Sequence, residues 1–338
     1  MARAAAPKVP PPATNLPLDA TGQKLLGAVL ADADDLESRL VFADWLVERG
    51  DPRGEFIQLQ CALGRTLHGA KGSSWDKPLF NGDPALLKAR ETKLLKTYAK
   101  AWLEPIRAFV RTWQWSNGFV SGVVADATKF MSGRAVIFAT TPLVDLELTA
   151  LKPAQLKTLS TEPTTARLRR LNVGFQKLDA AALEVFGADG WRGLRSLRLA
   201  GNRFGPAGAA VLAKANLPAL ETLELNDAQL DDACVEALVQ APFFPHLTSL
   251  EIGWNQAITA SSCALVLRKG VALKKLRVRG TGLTPGDLPA LGGLSTTLEQ
   301  VHVSGQVEAA AVKAFGVRVT AEVMVTKRRS SPSDASSA

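Results

Sequence analysis

Three histidines and three cysteines are the residues of this 338-residue chain whose types most readily do chemistry, and their spacing argues against it. His68, His246 and His302 stand far apart, without the short helical spacings that bring two imidazoles to one metal. Cys61, Cys234 and Cys263 form no Cys-x-x-Cys pair, and an odd number leaves no closed disulfide set, which points to a reducing compartment. The acidic run Asp32-Ala33-Asp34-Asp35 lacks the Gly and the later Glu of a calcium loop and reads as helix capping. Paired acids, a Ser/His/Asp set and a Gly-rich phosphate loop are not found in a fitting context. The expectation is a protein without catalysis, metal or cofactor.

Binding chemistry remains. The net charge is +8, with 46% hydrophobic and 21% charged residues, ordinary for a chain with a real core. Between Pro84 and Trp115 seven Lys/Arg face only Glu91 and Glu104, so the positive charge is local rather than a uniform coat. No stretch approaches the ~18 consecutive apolar residues of a membrane span. The opening residues carry no apolar segment of an export signal, so a cytoplasmic protein is expected. Residues 1–18 read as a disordered Pro/Ala-rich arm, and residues 327–338 as a disordered basic, Ser-rich tail.

The elements that position any binding surface begin with two helical stretches around Glu48-Arg49-Gly50-Asp51-Pro52-Arg53-Gly54. Leu36, Leu40, Ala43 and Val47 recur at helical intervals before this corner, and Phe56, Leu59 and Leu63 after it. Asp34, with Glu37 three residues on, is the expected cap of the first helix. Gly50 is the residue past that helix, where positive φ costs little. Asp51 caps the next helix and Pro52 takes its first turn. Arg49-Gly50-Asp51, the tripeptide read by adhesion receptors, is thus a corner of the fold.

The stretch from Arg39 to Gln60, with "YAKAWLEPI" at 98–106 and "NGFVSGV" at 117–123, resembles the repeat-companion domain of bacterial leucine-rich-repeat proteins of the myxobacterial and planctomycete type. The resemblance covers roughly residues 20–150 and implies a helical cap ahead of a repeat array. It implies no activity.

From Leu143 onward an L-x-x-L-x-L frame recurs, starting at Leu143, Leu168, Leu194, Leu220, Leu247, Leu273 and Leu298, at intervals of 25 to 27 residues. All 21 frame positions are Leu, Ile or Val. This is the leucine-rich-repeat signature, in which each short strand points its frame residues into a core that only stacked neighbours close. The helical legs suit the ribonuclease-inhibitor type. The Asn usual at the turn occurs only as Asn202 and Asn255, so a continuous Asn ladder is not expected. The expected fold is an α/β leucine-rich-repeat solenoid, a horseshoe with a parallel concave sheet and helical convex legs, capped by an N-terminal α-helical domain. Its parts would be 19–116, helical, with a long loop at 67–83 carrying Trp75 and Phe80, and 117–326, the array with end caps. The alternation in residues 317–325 suggests a closing strand.

Function would then sit on the outward strand positions. Arg170, Arg198, Glu224, Glu251 and Arg277 occupy them, none of them needing burial, with Trp254 just past its strand as an aromatic anchor. The favoured reading is a scaffold binding a protein partner on the concave face. The second is a basic adaptor for nucleic acid or an anionic surface, through a helix at 84–113 presenting Lys93, Lys96 and Lys100 with Tyr98 and Trp102 between them. A third, by fold analogy alone, is regulation of a small GTPase.

Overall fold

The computed structural model describes residues 15, 17–68, 83–305, 312–313, 315–316 and 318–322. Its elements are α1 (Ala20–Ala31), α2 (Leu36–Glu48), α3 (Pro52–His68), α4 (Pro84–Leu103), β1 (Thr112–Ser116), β2 (Phe119–Asp126), α5 (Ala127–Thr140), β3 (Asp145–Thr149), α6 (Pro153–Ser160) and β4 (Arg170–Asn172). They continue with α7 (Ala180–Leu183), β5 (Ser196–Arg198), α8 (Gly205–Leu212), β6 (Thr222–Glu224), α9 (Asp232–Leu238), β7 (Ser249–Glu251), α10 (Ala260–Lys269), β8 (Lys275–Arg277), α11 (Leu288–Leu291), β9 (Gln300–Ser304) and β10 (Arg318–Glu322). The described residues form two compact units. One runs to Gln176 and includes Ala188–Ser196; the other holds Lys177–Gly187 and the chain from Leu197 onward. The expected arm (apart from Asn15, Pro17 and Leu18), residues 69–82 of the expected loop with Trp75 and Phe80, and the expected tail lie outside the described residues.

In the first unit the corner between α2 and α3 follows from its residue types. Gly50 has φ 73°, its N–H donates to the Val47 carbonyl at 2.9 Å, and the Asp51 N–H donates to the Leu46 carbonyl at 3.0 Å. This paired closure of a helix end requires a left-handed residue, which Gly supplies without a Cβ clash. Asp51, buried, then accepts the Arg53 N–H at 2.9 Å and opens α3. Gly54 lets α3 press on α2, since a Cβ there would lie 2.4 Å from the Ala43 carbonyl oxygen.

The cap of α2 differs from expectation. Asp35, not Asp34, accepts the Glu37 and Ser38 N–H groups, and it also takes the Ser38 hydroxyl at 2.6 Å. The Ser38 hydroxyl fixes the Asp35 rotamer, which the capping-box reading from Asp34 overlooked. α4 also departs from expectation: it ends at Leu103 rather than near 113. Pro105 supplies no N–H to continue it, and the chain turns before β1. α4 buries Leu87, Leu94, Tyr98 and Trp102 against Phe56, Leu59 and Leu63 of α3. Its Lys93, Lys96 and Lys100 stay exposed.

β1 and β2 pair antiparallel, and β2, β3 and β4 follow in parallel, so this unit passes from helices directly into repeat strands. In the second unit β6, β7, β8, β9 and β10 run parallel in sequence order. β10 thus extends that sheet by one strand from within the segment read as a closing strand. All 21 frame residues are buried, the most exposed being Leu298 at 6%. The in-order parallel strands, with helical legs α9, α10 and α11 after β6, β7 and β8, make the repeats a leucine-rich-repeat α/β solenoid. Cys234 on α9 and Cys263 on α10 are buried in the legs.

Turn chemistry repeats as strictly as the frame. Ala150, Phe175, Gly201, Asp227, Trp254, Gly280 and Gly305 stand at equivalent places just past their strands, and every one has positive φ, from 52° to 87°. The residue after each was expected to lack a ladder outside Asn202 and Asn255. Those two asparagines are buried and bond backbone groups of the preceding repeat, Asn202 taking the Leu178 N–H and Asn255 the Ala228 and Leu230 N–H groups. Gln176 does the same in the first unit, accepting the Leu151 N–H at 3.0 Å. Its extra methylene reaches the same donor, so an amide is kept where an Asn is missing.

Candidate partner-binding site

Strand register decides which outward side chains meet. Glu224 pairs in register with Glu251, Glu251 with Arg277, and Arg277 with His302. Neighbours at such positions stand about 4.8 Å apart along the sheet, so the side chains touch. Two glutamates side by side repel, and each is relieved by an arginine on its far side. Arg198 Nε lies 3.3 Å from Glu224, and Arg277 pairs with Glu251. The row therefore reads plus, minus, minus, plus. Burial first, and the Glu251 charge second, push the Glu224 carboxyl above its ordinary value, against the pull of Arg198 and Arg277.

The structure thus brings Arg198, Glu224, Glu251, Trp254 and Arg277 together in the second unit. Arg170 lies in the first unit, where it holds Asp145 at 2.6 Å. One expectation is corrected here: Glu251 is not a free outward charge but is buried at 9% exposure. Besides Arg277, it accepts an amide hydrogen of Asn226 at 3.2 Å, and Asn226 in turn accepts the Gly253 N–H at 2.8 Å. An inward-held carboxylate needs these donors, because burial without them is costly.

Trp254 is the large aromatic on this face. It is 44% exposed and held at φ 61° by the repeat's turn. A non-Gly residue pays about 1–2 kcal/mol in this conformation. Its N–H donates to the Arg279 carbonyl at 2.7 Å, and the Arg279 guanidinium sits 5.0 Å from the ring centroid. Beside the ring opens a shallow cavity of about 220 Å³, lined by Asn226, Glu251, Arg277, Arg279 and His302. Its chemistry is an aromatic wall with two guanidinium groups, Arg277 engaged by Glu251 and Arg279 set over the Trp254 ring. Asn226 was missed by sequence reasoning. Its signal was its place, one residue past the last frame position of its strand.

The second candidate surface is α4. Lys88 pairs with Glu91, and Arg90 holds both oxygens of Glu55, so two of its cations are neutralised. Lys93, Lys96 and Lys100 form no ion pair among the described residues. Among those residues no His/Cys/Asp/Glu group is placed to hold a metal, and no helix is long and apolar enough to cross a membrane.

A family described as "Leucine Rich repeat" matches residues 194–213 and 245–264. No curated protein matches the chain. Among solved structures, the Rad7 and Elc1 complex in yeast aligns at 12% identity and a TM-score of 0.38, over 57% of this chain and 64% of that one. The leucine-rich-repeat-containing protein LegL7 from Legionella pneumophila aligns at 13% identity and a TM-score of 0.41, over 60% of this chain and 83% of that one.

Proposed function

We propose that this chain is a non-enzymatic scaffold that holds a protein partner on the outward face of strands β6–β9, anchored by Trp254. Leucine-rich-repeat proteins are generally protein-interaction scaffolds, and stacked repeats offer an extended surface for that purpose. The observation that carries the reading is Trp254 itself. An exposed indole stands in a left-handed turn where Gly201, Gly280 and Gly305 take the same place at no strain. Ala150, Phe175 and Asp227 take the same left-handed place, so what supports the reading is the ring itself, 44% exposed beside a row of charges, which suits contact with a partner. The row from Arg198 to Arg277 supplies charge of both signs around it, which orients a partner more than it adds affinity. In the first unit, Arg170 is exposed on β4 and pairs with Asp145.

A basic-adaptor reading is favoured by the three lysines of α4 that form no ion pair among the described residues. One experiment separates the two. The full chain is used for capture from its native host at about 50 and 200 mM salt, beside Trp254→Gly and the triple change of Lys93, Lys96 and Lys100 to Gln. A protein retained at both salts and lost from Trp254→Gly supports the scaffold. Nucleic acid that falls off steeply with salt and is lost only from the lysine variant overturns it.

A further inference from the structure

β1 is the end strand of the first unit's sheet, with β2 on one side and no strand on the other. Apart from the ladder to β2, no hydrogen bond among the described residues reaches the backbone of residues 112–116. The N–H and C=O groups on the open side of β1 are therefore unmet among those residues. Such an edge is a template for another strand, and folded proteins usually guard it with Pro, a charged residue or a bulge. β1, Thr112-Trp113-Gln114-Trp115-Ser116, has none of these. The one irregularity of the β1–β2 ladder lies between Gln114 and Trp115. Its extra residue is Ser121 on β2, so β1 itself runs unbroken.

Side chains alternate along the strand. Thr112 and Gln114 are exposed, and Trp113 and Trp115 are half-buried on the opposite face. Trp115 stands edge-on to Phe56 and Trp102, with ring centroids 5.4 and 6.1 Å away, which holds β1 against the helices. The strand is complementary to itself. Antiparallel pairing about a two-fold axis at Gln114 sets Thr112 opposite Ser116 of a second copy, Trp113 opposite Trp115, and Gln114 opposite Gln114. Hydroxyl with hydroxyl and indole with indole are pairings that stabilise adjacent strands, and no like charges face each other. Arg111 next falls opposite Asn117. Six residues of strand keep the two Arg111 side chains about 20 Å apart, beyond the screening length at physiological salt.

We propose that this edge is an interface between two copies of the chain, joined antiparallel through β1 about a two-fold axis at Gln114. The same patch serves both copies, so the assembly closes at two. A strand of five residues is about 17 Å long, so the buried area falls short of the ~1,200 Å² of a stable interface and the dimer is a weak one. The interface lies in the first unit and does not depend on the scaffold reading.

Sedimentation of the full chain from about 5 to 500 µM, at about 0.15 M salt, reads the association. The mass should rise from 35.9 kDa toward twice that value and stop there, with Kd on the order of 10–100 µM. Gln114→Lys puts two ammonium groups at the axis and should weaken the dimer at least about 10-fold; Gln114→Glu should do the same. An equimolar mixture of the two variants should recover it, because the axis sets residue 114 against itself. Both changes fall on an exposed side chain, so the variants should melt as the parent does. Should one fail to fold, the other variant and the parent's concentration dependence still decide. A parent that stays monomeric throughout leaves the edge to another segment or partner and overturns the proposal. So does a mass that grows past two copies, a folded variant that dimerises as the parent does, a mixture that stays monomeric, or a dimer lost from Trp254→Gly instead.

Discussion

The Trp254 ring lies across Gly280, the residue that occupies the Trp254 position in the next repeat. A Cβ on Gly280 would come within 2.7 Å of Trp254 Cε3. The exposed indole therefore rests on a glycine, with Arg279 against its ring. Gly280→Ala should cost at least about 1–2 kcal/mol, from its left-handed φ of 73° as well as from the ring it displaces. Trp254→Gly should change stability by no more than about 1 kcal/mol, because relief of strain offsets the lost cation–π contact. Urea melts read both; a loss above about 3 kcal/mol for Trp254→Gly would make it a core residue and remove it from the binding reading.

Leu223 and Glu224 are neighbours in sequence and opposites in burial. Leu223 is 1% exposed in the repeat core, whereas Glu224 faces outward. Leu223→Ala should cost about 2–5 kcal/mol, and Glu224→Ala under about 1 kcal/mol. Equal losses in denaturant melts would contradict the strand register.

The raised Glu224 pKa has a direction that can be tested. The folded state holds a proton more tightly than the unfolded chain, so this group favours folding below its ordinary value of 4.5. That contribution fades as pH rises through the raised folded value. Glu224→Gln should thus flatten the fall of melting temperature just above pH 4.5 and leave neutral-pH stability equal or higher. A variant whose pH profile matches the parent would show that Glu224 titrates normally.

At the corner, Asp51→Ala should cost about 1–2 kcal/mol, since it removes the acceptor for the Arg53 N–H. Asp34→Ala should change stability by under about 0.5 kcal/mol, and Asp35→Ala by about 1 kcal/mol, because Asp35 holds the α2 cap. The reverse order in thermal melts would restore Asp34 as the cap.

Burial pushes the Cys234 thiol up to about 11 and the Cys263 thiol up to about 12, with Asp231 and Asp232 respectively adding to the effect. Neither thiol should react with Ellman's reagent at pH 8 faster than the legs open. Rapid native labelling of either would mean that the corresponding leg, α9 or α10, frays.

Leu143 to Val303 were legible from sequence because a period of 25 to 27 residues with fixed inward positions has one economical packing, and all 21 frame residues are buried accordingly. The same register placed Arg198, Glu224, Glu251 and Arg277 side by side, since in-register strands turn equal repeat positions into neighbours. Gly50 and Asp51 were legible because helix ends are local chemistry. Burial of Glu251 was not, because it depends on Asn226 and Arg277, each about one repeat away, closing over it. The Gln176 bond to Leu151 depends in the same way on a side chain's reach across repeats. Arg53 shows the limit most clearly. Its sequence neighbours mark only the first turn of a helix. The cavity of about 160 Å³ that it lines with Asp51 exists because α2, α4, β1 and β2 converge there, and no local pattern records how segments separated by tens of residues meet.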